Sequence, residues 1–73
     1  MIVQQEAKVV TDVGMIIKSI RKQNGLSQKE LGKALTVSQS YICKVETGKE
    51  IPTDMFIKLF CLLYSVDKNT FDN

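Results

Sequence analysis

Hydrophobic positions recur at helical spacing through most of the chain, and they do so most regularly between residues 27 and 49, SQKELGKALTVSQSYICKVETGK. Two short amphipathic segments stand there with a tight turn between them. In the first, Leu31 and Leu35 fall one turn apart, while Gln28, Lys29, Lys33 and Thr36 occupy the rest of the surface. Ser27 with Glu30 three residues on has the spacing of a capping box, which satisfies N–H groups left free at the start of a helix. Gly32 lies inside this helix and costs roughly 1 kcal/mol against Ala. Such a cost makes sense where another backbone must come close. Ser38 offers a second N-cap, with Ile42 and Val45 at i, i+3 behind it, and Gly48 sits where a left-handed stop is wanted.

Upstream, Val13, Ile17 and Ile20 form the apolar stripe of a first helix, capped by Thr11 or Asp12 and ended near Asn24 by Gly25-Leu26. Residues 1–10 leave three alternatives open. Ile2, Val3, Val9 and Val10 are β-branched, whereas residues 4–8 prefer helix, so the segment reads as an arm, an extra strand or a short helix. Downstream, Pro52 and Thr53 open a fourth helix, with Thr53 or Asp54 near its cap. It runs through Tyr64, after which Asp67 caps a final turn that brings Phe71 back to the core. The expectation is an all-α fold of five short helices around one small core.

The fourth helix is apolar nearly all round. At 100° per residue, Ile57, Phe60, Cys61 and Tyr64 form the expected core face, and Phe56, Leu59 and Leu63 an adjoining stripe. Met55 and Leu62 stand almost opposite the core, and only Asp54 and Lys58 break the ring. Such a helix is normally buried on both sides, and left exposed it is an aggregation hazard. A chain of 73 residues has too few helices to cover both sides. The expected cover is a second copy, in a homodimer interface of Met55, Phe56, Leu59, Leu62 and Leu63 with Phe71 contributing. Residues 1–10 are the alternative cover.

Size and composition narrow the function classes. Seventy-three residues make one domain near the lower limit for an independent core. There is no His, no Gly-rich phosphate loop and no pair of carboxylates at usable spacing, so the chain is not read as an enzyme and no metal or cofactor is expected. Cys43 and Cys61 make neither a zinc spacing nor a disulfide scaffold. Both are expected as buried or half-buried thiols in a reducing cytoplasm. No secretory signal or membrane-spanning stretch stands out. The net charge of +2 decides little, but its distribution does more. Residues 18–49 carry seven Lys/Arg against Glu30 and Glu46, a net +5, while the flanks are acidic. That arrangement suits a polyanion facing one side of the fold.

The third helix turns Val37, Ile42 and Val45 inward. Outward it presents Ser38, Gln39, Ser40, Tyr41 and Lys44, with a single carboxylate, Glu46, well behind them. A merely solvated helix would mix Glu and Lys freely over this face. A helix lying in a DNA major groove needs donors and acceptors at its N-terminal end and no negative charge there. Further matching positions are Ile17 and Arg21, the run Gly25-Leu26-Ser27-Gln28-Lys29-Glu30-Leu31, Val37-Ser38, Tyr41-Ile42, and Glu46-x-Gly48-Lys49 followed by Pro52. In register together, these residues resemble the Cro/phage-repressor helix-turn-helix family over about residues 13–71.

The resemblance implies a lambda-repressor-like domain over residues 11–73, preceded by the arm of residues 1–10, with the helix-turn-helix motif at 28–47. It implies that Ser38, Gln39 and Ser40 meet base edges, Gln39 being the natural bidentate partner of adenine. Lys44 would reach guanine O6/N7 or a phosphate. Tyr41 would touch a thymine methyl, hold a phosphate, or pack on the second helix. Gln28, at a helix N-terminus, together with Thr47, Gly48, Lys49 and the more distant Lys22, would contact phosphates. In this family an Arg at the position of Arg21 pairs with a Glu at that of Glu46. Two positions depart from the pattern. Thr36 stands where the turn usually has Gly, and Met55, Phe56, Leu59 and Leu62 fill sites that are usually polar. The function expected is a sequence-specific, dimeric regulator of transcription on a near-palindromic operator in double-stranded DNA, either a repressor or a restriction-modification controller. The alternative is an antitoxin-like module whose apolar fourth helix binds a partner protein.

Overall fold

The computed structural model describes residues 2–71, with side chains described for residues 13–67 and 69–71. Among these residues the chain forms four α-helices, α1 (Ile2–Gln23), α2 (Gln28–Leu35), α3 (Gln39–Glu46) and α4 (Asp54–Tyr64), then a 3₁₀ helix, Lys68–Phe71. The expected fifth helix is therefore a 3₁₀ turn. Four residues are too few for an i→i−4 ladder, and the Thr70 N–H instead reaches back three residues to the Asp67 carbonyl at 2.9 Å. Asp67 does open it, since its Oδ1 accepts the Asn69 N–H at 3.0 Å.

The first helix starts at Ile2 rather than at Thr11 or Asp12. No Gly or Pro precedes Gly14, so nothing upstream breaks the helix that residues 4–8 favour. A residue suited to a cap does not start a helix where the preceding chain can continue it. The side chains of residues 2–12, Thr11 and Asp12 included, lie outside the described ones, as do Met1, Asp72 and Asn73.

The other starts are local and specific. Ser27 Oγ accepts the Glu30 N–H at 3.0 Å while Glu30 Oε1 accepts the Ser27 N–H at 2.8 Å, a complete capping box. Ser38 Oγ accepts the Tyr41 N–H at 3.0 Å, and Thr53 Oγ1 the Phe56 N–H at 3.1 Å, so Thr53 is the cap of α4 and Pro52 precedes it. The stops are left-handed: Gly25 at φ 68°, Thr36 at φ 59° and Ser65 at φ 55° close α1, α2 and α4, and Gly48 at φ 82° follows the end of α3.

Ile17, Leu31, Leu35, Ile42, Val45, Phe56 and Phe60 form the buried core, drawn from all four helices. Two glycines set how tightly they close. A Cβ on Gly14 would stand 2.5 Å from the Val45 carbonyl oxygen, and one on Gly32 2.7 Å from that of Val37. α1 therefore lies directly on the end of α3, and α2 directly on the turn that follows it.

The fourth helix is rotated from the expected setting. Phe56, placed by periodicity on the adjoining stripe and in the dimer interface, is only 4% exposed and belongs to the core. It meets Tyr41 edge-on at 5.6 Å and stacks with Phe60 at 6.1 Å between ring centres. Ile57, Cys61 and Tyr64 are only half-buried. Large flat rings one turn apart fill the hollow left by α2 and α3 better than the slimmer stripe beside them. Phe71 is half-buried with its ring 6.1 Å from that of Phe60, so much of it is spent on the chain's own core.

Candidate nucleic-acid interface

The second and third helices meet at a turn set by α2's end. Thr36 donates its N–H to the Gly32 and Lys33 carbonyls, and Val37 donates to Gly32 at 2.8 Å. The Gly32 and Lys33 carbonyls, two of the four at the helix end, are thus engaged, and the chain reverses directly into the Ser38 cap. α3 then buries Ile42, Val45 and Glu46. Ser38, Gln39, Ser40, Cys43, Lys44 and Thr47 are exposed, and Tyr41 is half-buried.

Glu46 is held in a buried node. Arg21 Nε donates to Glu46 Oε2 at 2.7 Å and an Arg21 terminal nitrogen to Oε1 at 3.1 Å, a bidentate pair with side chains 8% and 2% exposed. The remaining Arg21 nitrogen donates to the Leu26 carbonyl at 2.8 Å. Gln28 Nε2 donates to Glu46 Oε1 at 3.1 Å. Three helices converge on one carboxylate, whose charge is neutralised away from the exposed face. Sequence reasoning gave Gln28 to a phosphate and missed this bond, since nothing in the local pattern joins residues 28 and 46. Its backbone N–H, with that of Lys29, lies ahead of the i→i−4 ladder, at the positive end of the α2 dipole.

Other site residues are placed as follows. Tyr41 turns toward α4, with its ring on Phe56 and its hydroxyl 3.4 Å from the Thr53 nitrogen. Thr47 donates its hydroxyl to the Cys43 carbonyl at 2.9 Å. The Thr47 and Gly48 N–H groups are engaged by Cys43 and Val45 carbonyls, and the Lys49 N–H by that of Lys44 at 2.8 Å. Any phosphate contact there falls to side chains, with Lys49 and Lys22 both exposed. Cys43, expected buried or half-buried, is exposed and free, while Cys61 is half-buried. The α3 stripe of Ile42 and Val45 leaves Cys43 about 100° or more to one side; the expectation of burial came from the residue type, since Cys is usually buried.

Away from this face, Met55 (66%), Leu62 (78%), Leu63 and Leu59 are exposed on α4, joined by Ile51 (83%) in the preceding loop. Met55 and Leu59 also line an apolar groove of about 280 Å³ walled by Leu35, Val37, Tyr41 and Phe56. Ile51 was missed because a lone Ile beside Pro carries no periodic signal. Among the described residues no helix is long and apolar enough to cross a membrane.

A helix-turn-helix family model matches residues 17–69, and the chain belongs to the Cro/phage-repressor helix-turn-helix family of DNA-binding transcriptional regulators. It is similar to a protein described as the ImmF control region 10 kDa protein of Bacillus phage phi105, with 33% identity over 57 residues. That alignment covers 78% of this chain and 63% of the relative, so the chain spans less than two thirds of the relative's length.

Proposed function

We propose that this chain is a sequence-specific regulator that reads double-stranded DNA with α3 and acts as a homodimer, as a repressor or a restriction-modification controller. One observation carries the reading: the outward side of α3 presents hydrogen-bonding groups and Lys44, while its only carboxylate is buried in the Arg21 node. A face so arranged accepts a polyanion without repulsion. Ser38, Gln39, Ser40 and Lys44 are the base-reading set. Tyr41 has less freedom to join them, since its ring and hydroxyl both engage α4. Lys22, Lys49 and the N-terminus of α2 at Gln28 hold phosphates, with Gly48 giving the turn its shape; Thr47 can join them only by turning its hydroxyl away from the Cys43 carbonyl. The phage relative, described as a control-region protein, fits the same role. No catalytic step and no cofactor enter this reading.

The test begins with a site selected from a random duplex pool. Gln39→Ala should weaken binding to that site by about 1–3 kcal/mol and relax one position of the consensus. Lys49→Ala should weaken binding to all duplexes about equally, and affinity should fall steeply with salt as counterions are released. A Gln39→Ala protein that binds the selected site as tightly as the parent would show that α3 is misplaced. The exposed apolar surface of α4 favours a second reading, an antitoxin-like module bound to another protein. A stable homodimer on a sizing column supports the first reading, and a monomer or an aggregate the second.

A further inference from the structure

The exposure of Cys43 has a use at the DNA face. Gln39, Ser40, Cys43, Lys44 and Thr47 occupy positions i, i+1, i+4, i+5 and i+8 of α3 and its cap, which share one side of a helix, and all five are exposed. Four carry strong hydrogen-bonding groups. Cys43 does not: a free thiol behaves as a small apolar group with a weak S–H donor. It forms no disulfide, and Thr47 clamps its carbonyl at 2.9 Å, so this turn of backbone is held firm under the side chain. A major groove offers an apolar feature at one base only, the C5-methyl of thymine.

We propose that Cys43 is a specificity-determining residue that reads a thymine methyl group. The inference rests on α3 being the DNA-reading helix. Four residues of helix rise about 6 Å, and bases in B-DNA stack about 3.4 Å apart. The thymine therefore lies within about two base pairs of the base met by Gln39.

Replacing thymine by uracil, one position at a time in the selected duplex, removes the methyl and leaves pairing intact. One position per half-site should lose about three- to fivefold in affinity, the worth of one methyl taken out of water. It should fall within two base pairs of the position relaxed by Gln39→Ala. Cys43→Ala, still apolar, should keep that sensitivity, and Cys43→Ser should reduce it below twofold. Bound duplex should also slow alkylation of the wild-type Cys43 thiol by N-ethylmaleimide, located by peptide mass. The inference is overturned if no position senses uracil, if Cys43→Ser senses it as the parent does, or if duplex leaves the alkylation rate unchanged. Failure to select any duplex at all is a separate result, which sinks the DNA-reading function itself.

Discussion

Thr36 holds φ 59° and ψ 40°, a left-handed conformation in which a β-branched side chain crowds its own backbone. Gly25 and Gly48 meet similar geometry with the residue that suits it, at φ 68° and 82°. Thr36→Gly should relieve the crowding and raise stability by about 1 kcal/mol, net of the entropy Gly adds to the unfolded chain. A urea midpoint that stays put or falls would refute this. The strain at Thr36 was legible because a turn of this length leaves few conformations and the usual residue is Gly. The exposure of Cys43 was legible in the period though not in the residue type. At about 100° per residue, position 43 falls about 100° from Ile42 and about 160° from Val45, well off the buried stripe. Cys as a type, however, is usually buried.

At the scale of elements, the Arg21–Glu46–Gln28 node ties α1, α2 and α3 through one carboxylate that is 2% exposed. An exposed ion pair would contribute about 0–1 kcal/mol. Here, removing Arg21 leaves Glu46 buried with only the Gln28 amide, and the loss should approach the roughly 3–5 kcal/mol of a broken buried pair. A double-mutant cycle of Arg21→Met and Glu46→Leu, read by urea unfolding, should give a coupling well above 1 kcal/mol. A coupling near zero would mean the two side chains act independently. Helix starts at Ser27, Ser38 and Thr53 could be read from sequence because each cap is a contact within three residues. The start of α1 and the setting of α4 could not. The first depends on an upstream segment with mixed propensities, and the second on which rings best fill a hollow made by other helices.

The molecule as a whole presents two surfaces of opposite kind, the polar strip of α3 and the apolar ridge of Met55, Leu59, Leu62 and Leu63. Twofold pairing over that ridge would set two α3 helices about 34 Å apart, one turn of DNA. Leu59→Glu should yield a folded monomer with much weaker affinity for the selected duplex, read by sizing and by titration. If this variant still elutes as a dimer and binds normally, the partner contact lies elsewhere. The self-contained caps of α2, α3 and α4 bear on the order of events. Each helix closes with neighbours in sequence, and the Arg21–Glu46 pair has to join residues only 25 apart. Chains of such low contact order fold in microseconds to milliseconds. If two copies pair over the ridge as proposed, a core that closes on that timescale forms before two chains meet at ordinary concentrations. What competes with correct pairing is then the finished ridge meeting the wrong surface, a hazard that grows with concentration and is independent of how fast the chain folds.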